Sequence, residues 1–79
     1  MEKTYTVFGR VYEESESILA ARALTASFLN ICAYAGIDHG NDGAAWRESF
    51  NNWTDSLCKG GQICDAAYND LCPIGTQFE

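Results

Sequence analysis

The run from Ile18 to Ile37, ILAARALTASFLNICAYAGI, carries a single charge, Arg22, in twenty residues. Its length suits a membrane span. Against that reading stand Thr25, Ser27 and Asn30, six alanines, and the lack of a flanking basic cluster. A helix apolar around its whole circumference belongs in the middle of a fold. The run therefore points to a buried central helix, over about 16–35, whose alanines let neighbours pack closely. Ser15 is placed to cap its first turn through the hydroxyl. Glu13, Glu14 and Glu16 lie beside the positive end of its dipole, and Gly36 suits the C′ position.

The segments on either side are shorter and patterned differently. Thr4 to Tyr12, TYTVFGRVY, is rich in β-branched and aromatic residues and reads as a strand or hairpin over about 4–12. Taken as one strand, it sets Tyr5, Val7 and Val11 on one face and Phe8 and Tyr12 on the other. A lone strand cannot satisfy its own backbone. The partner is the C-terminal tail, another copy of the chain, or the segment itself folded back at Gly9. After the polar turn IDHGNDG, capped by Asn41 or Asp42, a second helix is expected over about 43–59. Trp46, Phe50, Trp53 and Leu57 recur there at helical spacing, with Arg47, Asn51 and Thr54 assigned to the other faces. Gly60-Gly61 ends it. A short third helix over about 62–71 carries Ile63, Ala67 and Leu71 inward and stops at Pro73, and the tail IGTQF is compatible with an edge strand. The fold class is α+β, mostly helical, as one compact domain over 1–79. A chain this short buries roughly 60% of its unfolded surface, so its margin of stability is thin.

Four cysteines invite a metal or a disulfide. Cys32, Cys58, Cys64 and Cys72 are separated by 25, 5 and 7 residues. Zinc knuckles use two to four intervening residues, because a tight turn must aim both sulfurs at one ion. Cys64 and Cys72, on one helix, would stand roughly 12 Å apart at 1.5 Å per residue. That is too far for a disulfide, which leaves Cys58–Cys64 across KGGQI as the pairing geometry allows. No C-x-x-C supports redox work. The N-terminal stretch MEKTYTVFGRVYEE has no apolar signal region, so a reducing, cytoplasmic setting is expected, with thiols free and acting as small apolar side chains. A module stapled by zinc or by a disulfide is the alternative.

Asp38, Asp42 and Gly43 match the first, fifth and sixth positions of a calcium loop. Gly40 and Ser49 replace ligands that such a loop needs, so a capping turn is the simpler reading. His39, the single histidine, has no nucleophile and orienting group beside it in sequence and reads as a solvated loop residue. The sequon Asn52-Trp53-Thr54 falls mid-helix. No phosphate loop or paired-carboxylate site is present, so neither an enzyme nor a cofactor is expected.

Five basic residues stand against eleven acidic ones, net −6. A nucleic-acid binder needs the opposite balance to displace counterions from phosphates. The carboxylates fall on every polar segment: Glu13, Glu14, Glu16, Asp38, Asp42, Glu48, Asp55, Asp65 and Asp70, with Tyr12 and Tyr68 as aromatic anchors beside them. Such a surface suits a basic protein partner, speeding encounter and setting partner choice. It suits neither direct nucleic-acid binding nor a membrane, and monomer and dimer are both compatible with it. In size, acidity, leaderless start and α+β pattern the chain resembles the small phage-encoded anti-CRISPR inhibitors. That resemblance implies a stoichiometric inhibitor acting in the host cytoplasm. It would occupy the Lys/Arg-lined DNA or PAM site of a CRISPR effector subunit by imitating phosphates.

Overall fold

The computed structural model describes residues 3–79. Strand β1, Thr4–Val7, folds back on strand β2, Arg10–Glu13, with Tyr5 opposite Tyr12 and Thr6 opposite Val11. Phe8 and Gly9 form the turn, both at positive φ, 51° and 82°. That sign at both turn positions matches the right-handed twist of the flanking strands. Glycine adopts it freely, whereas phenylalanine does so against its preference. Phe8 is held there with its ring 6.2 Å from that of Trp53.

The hairpin corrects the facing expected of a straight strand. A two-residue turn puts Tyr12 on the face of Tyr5 and Val7, so these three are buried, while Val11 is 61% exposed beside Thr6. The outer edge of β1 is covered by the segment before the third helix. Phe8 N donates to Gln62 O, Cys64 N donates to Thr6 O, and Val7 pairs with Ile63. On β2, Glu13 N donates to the Glu16 carboxylate at 3.1 Å, which shortens the free edge.

A 3-10 turn, Glu14–Glu16, leads into α1, Ser17–Ala35, and together they form a 22-residue helical element. Ser15 lies inside that turn rather than at the cap, because the Glu13–Glu16 pair occupies the helix start. Gly36, at φ 75°, closes α1 in the left-handed conformation. Helix α2 spans Gly43–Lys59, capped by Asp42, whose carboxylate accepts from Ala45 N at 3.1 Å. Helix α3 spans Asp65–Asp70, shorter than expected because Cys64 caps it and Leu71 turns extended. The tail ends in a 3-10 turn, Thr76–Phe78, not an edge strand. Phe78 is 4% exposed, and burying its ring draws the backbone away from any sheet.

The core is aromatic. Phe28 of α1 meets Phe50 edge-on at 5.4 Å and Trp46 at 6.3 Å, and it also touches Trp53 and Phe78. These contacts explain the Trp46/Phe50/Trp53/Leu57 stripe. Thr54, assigned outward, is buried, because four residues past Phe50 it falls only about 40° further round the helix. Helix α1 is not buried all round. A third of its most apolar stretch is covered, through Ala20, Ala21, Leu24, Thr25, Phe28 and Cys32. Leu19 and Tyr34 point outward, and the element remains long and apolar enough to cross a membrane by length and composition.

Candidate partner-binding surface

The acidic residues divide into two regions at opposite ends of α2. Asp38 and Asp42 lie at its start, and Glu48 lies between the two regions, about 10 Å along the helix from Asp55. Asp38 accepts from Gly40 N at 2.8 Å, an Asx turn, and Asp42 caps the helix. The loop therefore uses its carboxylates on its own backbone, as a capping turn does. His39 is not free in solvent. Its Nε2 lies 2.7 Å from Ser49 Oγ and its ring stands edge-on to Trp46 at 4.9 Å.

The second region surrounds α3. Asp70, at its end, accepts from Lys3 Nζ at 2.9 Å and from the Tyr5 hydroxyl at 3.2 Å. The Lys3 hydrogen bond is the main reason the Asp70 carboxyl lies below its ordinary range, and the same contact raises the Lys3 ammonium. Burial first, then Asp70, raises the Tyr5 hydroxyl. Glu14 joins this group by accepting from Lys3 N at 3.4 Å. At the start of α3, Asp65 accepts from the Cys58 thiol at 3.1 Å. That hydrogen bond, followed by burial and the nearby Asp55, pushes the thiol up. Asp55 pairs with Lys59 at 2.9 Å, one helical turn on. Tyr68 is 38% exposed on α3 between these carboxylates.

Of the predicted site residues, the fold brings Glu14, Asp55, Asp65, Asp70 and Tyr68 around α3, with Glu13 and Glu16 at the adjoining strand–helix junction. It does not bring Asp38 and Asp42 to that region. They lie at the far end of α2, which at 1.5 Å per residue places Asp42 about 20 Å from Asp55. Tyr12 is withdrawn from the surface. It is 7% exposed, packed beneath the hairpin, with the Arg10 guanidinium 5.0 Å above its ring.

Sequence reasoning missed two residues here. Lys3 joins Glu14 to Asp70, and a lone lysine ahead of a strand carries no local signal of that role. Cys64 Sγ accepts from Ala67 N at 3.4 Å and from Thr6 N at 3.2 Å, so one thiol caps α3 and stitches it to β1. The spacing to Ala67 is that of an N-cap, but cysteine is not among the usual capping residues. All four cysteines are free thiols, and among the described residues no three His, Cys, Asp or Glu side chains gather as a metal-holding group. Comparison with protein-family models, with curated proteins and with solved structures finds no match for this chain.

Proposed function

We propose that this is a non-enzymatic acidic binding protein that acts as a stoichiometric inhibitor. In this reading it occupies a basic nucleic-acid or PAM site of a CRISPR effector, as an anti-CRISPR protein does. The observation that carries the reading is the gathering of Glu14, Asp55, Asp65 and Asp70 around α3 on a chain of net −6. Tyr68, exposed among them, supplies an aromatic anchor. Lys3 and Lys59 are each held against one of these carboxylates and orient it, so the side chains need little further ordering when a basic groove arrives.

The test begins with the immobilised protein passed over an extract of its native host. The captured protein is identified by mass spectrometry, purified, and assayed for nucleic-acid binding. Expected is a basic protein that loses its nucleic acid at one equivalent of inhibitor, with affinity falling steeply as salt rises. Glu14→Lys with Asp65→Lys should restore nucleic-acid binding. A captured partner that keeps its nucleic acid at saturating inhibitor refutes the reading.

A further inference from the structure

Helix α2 and the extended segment after α3 border an open surface cleft of about 480 Å³. Its size lies within the range of about 300–1,000 Å³ usual for small-molecule sites. Arg47 and Asn51, one turn apart on α2, line one wall, and Pro73, Ile74 and Phe78 line the other. The apolar wall is built without help from a ligand. Ile74 N donates to Thr25 Oγ1 at 3.1 Å, and the Thr25 hydroxyl donates to Ala21 O at 2.8 Å, which anchors the segment to α1. Phe78 is clamped by Phe28, Trp46 and Phe50. Gly43 lets the last turn lie directly on α2, since a Cβ there would overlap the Glu79 carbonyl.

Arg47 is the cation that lines this cleft; Arg22, also without an ion pair or hydrogen bond among the described residues, does not. Lys3 and Lys59 are in ion pairs, and Arg10 lies over the Tyr12 ring. Arg47 makes no ion pair or hydrogen bond among the described residues, and it lines the exposed side of a cleft that Pro73, Ile74 and Phe78 also line. A guanidinium stays charged at any physiological pH and presents paired donors that match a carboxylate. Glu79 lines the same cleft and offsets part of the Arg47 charge, so the site tolerates one ligand carboxylate against Arg47 and disfavours a second.

We propose that this cleft binds a small monocarboxylate with an aliphatic or aryl tail. The carboxylate meets the Arg47 guanidinium and the Asn51 amide, and the tail lies on Pro73, Ile74 and Phe78. This site goes beyond the partner-binding surface and does not depend on it.

The test is a ¹H–¹⁵N correlation titration of the whole chain with octanoate and with 4-phenylbutyrate, using octanol as the uncharged control. Expected are saturable shifts confined to the amides around Arg47, Asn51, Ile74 and Phe78, with octanoate at least tenfold tighter than octanol. Arg47→Gln should weaken octanoate at least tenfold while leaving octanol binding and the melting temperature unchanged. Ile74→Glu, which places a carboxylate in the cleft, should abolish octanoate binding. Equal binding of octanol and octanoate, indifference to Arg47→Gln, or shifts centred on the outer face of α1 would overturn the assignment.

Discussion

The Tyr5 hydroxyl donates to Asp70 Oδ2 at 3.2 Å, so the first strand is tied to the last helix across 65 residues of chain. Lys3 meets the same oxygen at 2.9 Å. With its carboxyl held below the ordinary value of 3.8, Asp70 stabilises the fold above that pH and loses the contribution as pH falls through its folded value. Urea denaturation followed from neutral pH down to about pH 2 should show stability dropping below about pH 4. Asp70→Asn should flatten that acid limb, and an unchanged limb would show that other carboxylates govern it.

Phe50 is 1% exposed at the centre of the aromatic cluster. Truncation of a buried aromatic costs about 3–5 kcal/mol. A chain of 79 residues has a total stability of the same order, about 4–12 kcal/mol. Phe50→Ala should therefore leave a substantial unfolded population at 37 °C, read by near-ultraviolet circular dichroism. Trp53→Ala, at a half-buried position, should cost less.

Cys64 offers a separation of chemistry from volume. Replacing it with alanine removes the acceptor for both Ala67 N and Thr6 N. A lost cap alone costs about 1 kcal/mol, and the unanswered Thr6 amide adds to it. Serine keeps an acceptor at the cap, so Cys64→Ser should retain most of the stability that Cys64→Ala loses. Equal losses in chemical denaturation would show that the thiol's bulk matters more than its hydrogen bonds.

Thiol alkylation should follow the structure. Cys72 is exposed and should react first with iodoacetamide. Cys58 is slowed because its hydrogen bond to Asp65, with burial second, favours the protonated thiol. Cys32 is buried, which also raises it, and should react only on unfolding. Mass spectrometry of timed digests would read the order, and Asp65→Asn should speed Cys58 above about pH 8, where thiolates begin to form.

Local signals located most of the elements. The Trp46/Phe50/Trp53/Leu57 spacing, a cap at Asn41 or Asp42 and Gly60-Gly61 as stop pointed to α2 at Gly43–Lys59, and the structure makes Asp42 the cap. Gly36 marked the end of α1, and alternating β-branched and aromatic residues marked the hairpin region. Each of these depends on residues within a few positions of one another, where periodicity and backbone preference act directly.

The facing of residues was less legible. One choice at Phe8-Gly9, turn against straight strand, moved Tyr12 from the surface to the core and Val11 the other way. The candidate surface depended still more on distant pairs. Glu14 and Asp70 share Lys3, and Cys58 reaches Asp65 only after Gly60 and Gly61 have reversed the chain.

The sequence by itself determined an acidic α+β chain with one long apolar helix and one aromatic helix, because charge, composition and spacing are properties of the chain. Only the tertiary structure decided which carboxylates stand together around α3, which are used by their own loop, and that Arg47 lines a cleft with Pro73, Ile74 and Phe78. The physical reason is range. Helical period and capping act over three or four residues, whereas a hydrogen bond from Lys3 to Asp70, or the docking of Phe78 on Phe28, exists only once the whole core has closed.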